Sequence, residues 1–310
     1  MSVVREFIKC MKKNLILITI LIFFLSKSSV AQNDSTRLNK KRIGISVGLT
    51  AASYTAGVLY LSEVWYKDHE RVPLHFYDDN AGWKQMDKVA HAYIAYHQSR
   101  AGYEMLKWSG VNENTAIFLG GSLGFIFQLP IEIFDGLYEG YGFSWGDVYA
   151  NSAGTLLFML QQKFADEQVV KFKFSYFPTS YSKVNPRVLG ENALESLFTD
   201  YNAQTYWLSV GIHKLMPNQS IPKWLNLAVG YSAGGMLSEF KNPNWISGER
   251  APQINRYRQF FLSPDIDYTQ LKSNSKLFNG ILEALNLTKL PAPAVEYSTE
   301  YGWVFHFIHF

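Results

Sequence analysis

Cysteine and the common catalytic signatures are scarce in this chain. Its one cysteine, Cys10, precedes an apolar run instead of following it. A lipid anchor on a cysteine directly after that run is therefore excluded, as are disulfides and thiol chemistry in the rest of the chain. The sequence also contains neither a P-loop nor an H-E-x-x-H zinc motif.

Charged residues are few and aromatic residues are many. Charged residues make up 18% of the chain, below the roughly 25% that is usual, and aromatic residues reach 16%. This composition indicates an envelope protein that contacts lipid, or a large buried core. Residues 1–31 carry a net charge of +4 and the whole chain +3, which leaves about −1 for the rest. Nucleic acid is not an expected partner, because proteins that bind it usually have a basic surface.

Residues 1–31 have the pattern of a secretory signal peptide. Basic residues precede the apolar run "LILITILIFFL", and small residues at Ser29 and Ala31 follow it. The run is shorter than the ~20 residues that span a bilayer. We predict cleavage after Ala31, with Met11 as an alternative start, and export to the periplasm or outer membrane of a Gram-negative bacterium.

The remaining chain changes character near residue 167, which predicts the α+β class. Residues 32–167 contain apolar stretches of helical length, whereas residues 168–310 contain about six short alternating runs that are typical of strands. We expect a bundle of about four helices, followed by an antiparallel β-rich domain. The predicted helices cover 43–66, 88–108, 115–134 and 145–164, with a further amphipathic helix at 275–287.

Two of the apolar stretches leave membrane crossing open. The stretch 43–66 is long enough but rich in Ser, Thr and Gly, and 115–131 has only 17 residues and contains Pro130. A compact bundle is the alternative. The aromatic run that ends at Phe310 favours contact of the β-rich domain with the outer membrane, although six strands are fewer than the eight of the smallest closed barrels.

Polar and small residues share one face of each of three predicted helices. Steps of three and four residues align them, so the three polar stripes are expected to face one another. Glu132 and Asp135 stand out, because carboxylates at a helix C-terminus oppose the helix dipole by about 0.3–1 kcal/mol each. Such a conflict is best tolerated where the group has a partner or a function. His91 and Lys88 are the candidate partners.

Ordinary structural roles compete with a functional site at these positions. Asp87 is placed to cap its helix, Ser144 and Asp147 form an S-x-x-D capping box, and His91 has the position of a hydrogen-bonded core residue. We predict nevertheless that the acidic pair points inward, toward His91. The candidate polar cluster comprises Asp87, Lys88, His91, Glu132, Asp135, Ser144, Asp147 and Asn151.

Three motifs occur in a fixed order, "DKVAH" at 87–91, "EIFD" at 132–135 and "GYGFSWGDVYANSAG" at 140–154. Together they resemble the YfiM-type domain of unknown function, a family of predicted periplasmic lipoproteins, over about residues 85–162. A more distant likeness is to VanZ-like membrane proteins, through D-K-x-x-H and the D-x-x-x-N-x-x-G element at 147–154. The resemblance implies the cell envelope and brings no established activity. This chain departs from the family by lacking a lipobox cysteine and by adding a β-rich half.

The sequence favours a cell-envelope protein with a structural or interaction role, whose partners are membrane lipid or other envelope proteins. The alternative is a metal-dependent enzyme or lipid head-group binder that uses His91 with Glu132, Asp135 and Asp147. One histidine with three carboxylates suits Mg²⁺, Mn²⁺ or Zn²⁺. No cofactor is expected under the first interpretation, and a divalent metal under the second. Enzyme activity, substrate and oligomeric state stay open.

Overall fold

The computed structural model describes residues 38–216 and 220–310. The predicted signal peptide lies outside these described residues. Helices precede an antiparallel six-stranded sheet along the described chain. The predicted α+β class, with about four long helices before a β-rich half, is therefore confirmed.

The four long helices lie at the predicted places, but the first ends at residue 60 instead of 66 and the third begins at residue 123 instead of 115. They are α1 Lys40–Tyr60, α2 Met86–Trp108, α3 Leu123–Asp135 and α4 Trp145–Ala165. A π-helical stretch, Leu61–Trp65, continues α1, and the segments Glu113–Thr115 and Ala116–Gly120 precede α3. By length and composition alone, Lys40–Glu63 and Glu113–Asp135 are apolar enough to cross a membrane, a property that core helices share. Membrane crossing stays a prediction.

Glycine brings α2 close to its two neighbours. A Cβ built on Gly154 of α4 would lie 2.0 Å from the Ala92 carbonyl oxygen on α2. A Cβ built on Gly124 of α3 would lie 2.1 Å from the Ala95 carbonyl oxygen, also on α2. Since no side chain fits at such distances, glycine at both positions allows the backbones to approach. The polar stripes of the three helices consequently meet inside the bundle.

The sheet has the order β1-β2-β3-β6-β7-β8, and every neighbouring pair is antiparallel. Its strands are β1 Val170–Tyr176, β2 Gln204–Gly211, β3 Leu225–Gly234, β6 Tyr257–Ile266, β7 Ala292–Ser298 and β8 Gly302–His309. A separate small hairpin is formed by β4 Trp245–Ile246 and β5 Glu249–Arg250. Helix α5, Lys276–Leu285, connects β6 to β7 and matches the predicted amphipathic helix.

Aromatic side chains pack the helices onto one end of the sheet. The ring of Tyr93 on α2 lies 5.5 Å from that of Phe172 on β1 and 5.5 Å from that of Tyr206 on β2. Tyr96, three residues further along α2, is buried in the same core. This packing covers β1 and the part of β2 around Tyr206 on the side that faces the helices.

The rest of that side of the sheet is apolar and exposed; we call it the outer face. Strand pairing places Leu208, Val229, Leu262, Val295 and Phe305 side by side across β2 to β8. These five side chains are 40–57% exposed. A row of large apolar groups is thus left without a covering layer among the described residues.

The opposite, inner face of the sheet is buried, because side chains alternate along a strand, and it combines polar groups with an apolar core of Trp207, Ala228, Phe261 and Ala294. Lys173 on β1 is fully buried, and its Nζ lies 2.7 Å from Asp265 Oδ2 on β6. Ser209 Oγ donates to the same oxygen at 2.6 Å, and Asn226 Nδ2 donates to Ser209 Oγ at 2.8 Å. The sheet therefore buries charged and polar groups on its inner face and exposes a row of large apolar groups on its outer face.

Candidate functional site

The polar stripes converge where α2 and α4 begin and α3 ends. Asp87, Lys88 and His91 lie in the first two turns of α2, and Asp147 and Asn151 in the first two turns of α4. Glu132 reaches the same place from the last turn of α3. We call these six residues the helical polar cluster.

Lys88 holds three carboxylates together. Its Nζ lies 2.6 Å from Asp79 Oδ2, 2.8 Å from Asp147 Oδ1 and 3.0 Å from Asp87 Oδ2. Burial works against the charged ammonium group, but Asp87 and Asp147 outweigh it and raise the pKa of Lys88. Lys88 is therefore a fixed positive charge at the base of the cluster.

His91 faces acceptors with both ring nitrogens. Its Nε2 lies 3.7 Å from Asp147 Oδ1 and 3.8 Å from Asp87 Oδ1. Its Nδ1 lies 3.2 Å from Asn151 Oδ1 and 3.4 Å from Glu132 Oε1. Burial alone would lower the pKa of His91, but Asp87, Asp147 and Glu132 raise it overall.

Glu132 has no solvent-exposed surface. Its Oε1 accepts a hydrogen bond from Asn151 Nδ2 at 3.1 Å, whereas its Oε2 has no hydrogen-bond partner among the described residues. Burial raises the pKa of Glu132 to about 8, although His91 opposes the shift. Burial also raises the pKa of Asp147 to about 6. Near neutral pH the protonated form of Glu132 is therefore favoured over the carboxylate.

Asp135, at the end of α3, accepts a hydrogen bond from the hydroxyl of Tyr66. Burial raises the pKa of Asp135 to about 7, and the Tyr66 hydrogen bond lowers it only in part. Gly136 follows as the C-cap of α3, where the sequence predicts a stop. Glu132 and Asp135 thus have separate partners: Glu132 contacts Asn151 and His91, and Asp135 contacts Tyr66.

The sequence predicts capping residues at the start of two helices, Ser144 with Asp147 at α4 and Asp87 at α2. At α4, Ser144 Oγ accepts a hydrogen bond from the Asp147 backbone N–H at 3.1 Å, as the S-x-x-D pattern predicts. At α2, the prediction for Asp87 is wrong, because the N-cap is Gln85 and Asp87 is the second residue of the helix. Gln85 is left-handed with φ of 66°, and its side chain makes no capping hydrogen bond.

Sequence reasoning missed three contributors to this region, Asp79, Tyr201 and Tyr66. Asp79 pairs with Lys88 and accepts a hydrogen bond from Ser144 Oγ at 2.6 Å. The Tyr201 hydroxyl donates to Asp87 Oδ1 at 2.7 Å, from a short turn directly before β2. Burial would raise the pKa of Asp87, but His91, Lys88 and this hydrogen bond lower it. The cluster therefore connects the helices to the β-rich half.

Two G-x-S-x-G strings, at 44–48 and 120–124, require a check as nucleophile elbows. Such an elbow needs a sharp turn from a strand into a helix. Ser46 lies inside α1, with its Oγ 2.9 Å from Ser109 Oγ. Ser122 directly precedes α3, and its Oγ donates to the Leu119 carbonyl at 3.1 Å. Neither serine has the required context.

Fold and site together define a helical domain that is built around a buried polar cluster and packed on a β-sheet. Residues 75–163 match the model of a family described as predicted periplasmic lipoprotein (DUF2279). This segment contains α2, α3, all but the last two residues of α4 and the whole helical polar cluster, and it confirms the resemblance predicted from the three motifs. The match supports an exported cell-envelope protein; the VanZ-like similarity stays a prediction. Comparison with curated proteins and with solved structures finds no match.

Proposed function

We propose that this protein is a non-catalytic component of the cell envelope that contacts a membrane through the outer face of its sheet. The observation that carries the proposal is the row Leu208, Val229, Leu262, Val295 and Phe305, which is 40–57% exposed across five neighbouring strands. Large exposed apolar patches mark sites of contact with proteins or membranes.

A second row of aromatic residues extends the patch toward the edge strand. Pairing places Phe260, Tyr297 and Trp303 next to one another on β6, β7 and β8. Their side chains are 44%, 43% and 75% exposed. Tyrosine and tryptophan are the residues that favour the boundary between lipid and water. The patch therefore has the composition expected where a sheet meets a bilayer.

The buried charges on the inner face favour lipid over water as the neighbour of the outer face. A sheet with one solvated side usually turns its polar residues to water. Here the Lys173–Asp265 pair and the Glu296–His306 pair, at 2.7 and 2.6 Å, are on the inner face. Polar-inside and apolar-outside alternation is the arrangement of lipid-facing sheets.

The helical polar cluster has a structural role in this proposal. Lys88 joins carboxylates from two helices and a loop, and Tyr201 joins the cluster to the β-rich half. Buried networks of hydrogen bonds and ion pairs rigidify a fold where their members are paired, as Asp87, Lys88 and His91 are here. A second candidate function, a metal-dependent enzyme or a lipid head-group binder, is favoured by donor atoms of Asp87, His91 and Asp147 that lie within 4.8 Å of one another.

The membrane proposal is tested by flotation of the purified full chain with vesicles of phosphatidylethanolamine and phosphatidylglycerol. We expect the parent protein to float with the vesicles and Leu262→Lys or Phe305→Lys to reduce the floated fraction severalfold, because each places a charge at the lipid contact. Leu277→Lys on α5 is the matched control, since Leu277 is 72% exposed outside the sheet. A parent protein that stays at the bottom of the gradient, or equal loss in all three variants, would refute the proposal.

A further inference from the structure

We propose that Asp87, His91 and Asp147 bind one divalent transition-metal ion, with Zn²⁺ preferred over Mg²⁺, and that Glu132 orients His91 for it. The inference goes beyond membrane contact and does not depend on it. It develops the second candidate function by naming the ligand atoms, the orienting residue and the class of ion.

The three donor groups already have nearly the spacing that an ion requires. His91 Nε2 lies 3.7 Å from Asp147 Oδ1 and 3.8 Å from Asp87 Oδ1. Two atoms that bind one ion at about 2.1 Å lie roughly 3–3.5 Å from each other. Shifts of about half an ångström in side chains would therefore close these two distances onto an ion. Asp87 and His91 reach the site from one face of α2, at i and i+4, and Asp147 from the first turn of α4.

Charge at the junction leaves room for a divalent cation. Four carboxylates, from Asp79, Asp87, Glu132 and Asp147, surround two basic side chains, Lys88 and His91. With His91 neutral, as a metal ligand must be, and Glu132 protonated, the three aspartates exceed the charge of Lys88 by two. Lys88 Nζ contacts Asp87 Oδ2 and also Asp147 Oδ1, at 2.8 Å, and the Tyr201 hydroxyl donates to Asp87 Oδ1 at 2.7 Å. Each carboxylate oxygen has a second lone pair that can face an ion.

Glu132 supports the ion site from the other side of the His91 ring. It is completely buried, and its Oε2 has no hydrogen-bond partner among the described residues. Its Oε1 lies on the Nδ1 side of His91, at 3.4 Å, opposite the nitrogen that faces Asp87 and Asp147. Histidines that bind metals usually donate their second ring N–H to a carboxylate or carbonyl oxygen, which fixes the tautomer. With the proton on Nδ1, directed to Glu132 or Asn151, the Nε2 lone pair points to the two aspartates.

The donor set selects the class of ion. One imidazole nitrogen with two carboxylate oxygens suits Zn²⁺ and similar first-row ions, whereas Mg²⁺ prefers oxygen ligands alone. Three protein donors leave at least one position for water, as in catalytic zinc sites. The side chains of Asp87 and His91 are 20% and 17% exposed, so water and small solutes can reach this side of the cluster.

The test is isothermal titration calorimetry of the chelator-treated full chain with ZnCl₂ and, separately, with MgCl₂. We expect one Zn²⁺ site of micromolar or tighter affinity and much weaker binding of Mg²⁺. His91→Gln should weaken Zn²⁺ binding more than tenfold, and Glu132→Gln by about 10–100-fold, as for other orienting residues. Glu139→Gln, an exposed change of the same chemistry in the following loop, should bind like the parent protein.

If the folded parent protein does not bind Zn²⁺, the proposal is overturned, and Lys88 then serves as the cation of the site. Binding that His91→Gln and Glu132→Gln leave unchanged would place the ion elsewhere and would overturn it as well. Circular dichroism confirms that each variant is folded, and the visible spectrum of the Co²⁺-loaded protein provides a second readout of a nitrogen ligand. Flotation is measured on the same variants, and it should be unaffected, so failure of the ion site and failure of the membrane proposal are separable.

Discussion

Replacing Glu132 by alanine gives the most direct measure of what the buried carboxyl group contributes. The substitution removes the acceptor of Asn151 Nδ2, a hydrogen bond of 3.1 Å between two side chains that are almost fully buried. A buried donor left without a partner costs about 1–3 kcal/mol. The lost side chain also leaves a cavity, but removing a buried acid saves its own desolvation, so we keep this range for the net effect at pH 7.

Glutamine at position 132 separates the hydrogen bond from the acidity. Because burial raises the pKa of Glu132 to about 8, a neutral side chain of the same shape resembles the form that the parent protein favours at pH 7. We therefore expect Glu132→Gln to cost less than about 1 kcal/mol. The two substitutions differ mainly in whether Asn151 keeps its acceptor.

The assay is thermal unfolding of the full chain, followed by circular dichroism. For a chain of this length, 1–3 kcal/mol corresponds to a decrease in Tm of about 2–6 °C. Glu139→Ala is the control, because Glu139 is exposed in the loop after α3 and should cost under about 0.5 kcal/mol. Equal and negligible shifts for Glu132→Ala and Glu139→Ala would refute the reasoning, since Glu132 would then contribute no more than a surface charge.

Three further predictions concern packing, pH and the leader. Gly154→Ala should cost about 1–3 kcal/mol in chemical denaturation, because its Cβ would lie 2.0 Å from a carbonyl oxygen of α2. Gly57→Ala on α1 is the control and should not destabilise the protein, because its Cβ would meet no atom within 4 Å. Equal losses of stability in the two variants would contradict the close packing of α2 and α4. Burial lowers the pKa of His309 from 6.5 to about 4, so the stability that is present above pH 6.5 is lost as the pH falls toward 4. After solvent screening, the parent protein should lose about 1–2 kcal/mol more over this range than His309→Phe. Parallel pH profiles of the two proteins would contradict this prediction. N-terminal sequencing of exported protein should begin at or near Gln32, and an intact leader would disprove cleavage.

Much of this fold follows from periodicity in the sequence. Apolar stretches of helical length predicted α2 and α4 to within two residues, whereas α1 and α3 are shorter than their predicted stretches. Runs with a period of two predicted all six strands of the large sheet. Steps of three and four residues along the helices placed Asp87, His91, Glu132 and Asp147 on stripes that the structure brings together. Regular elements repeat their geometry, so residues at fixed spacing share a face.

The missing members of the site lie where no such repeat exists. Asp79 is in the loop before α2. Tyr201 is in a short turn between β1 and β2, more than 100 residues from its partner Asp87 in the chain. Irregular backbone has no period from which side-chain direction can be inferred. Their contacts with Lys88 and Asp87 depend on how the helices and the sheet pack, which is a tertiary property.

Which side of an element is crowded can be inferred from residue size more safely than from polarity. In the helices, Gly124 and Gly154 lie on the polar stripes, and those stripes are the buried sides. The same sign was present in the sheet, where small residues alternate with large apolar ones. Pairing aligns Ser209, Ala228 and Ser263, which are at most 1% exposed, next to the row of large exposed side chains. Small groups allow close approach of whatever packs on that face, so the face they occupy is the interior even though it also carries buried polar and charged groups.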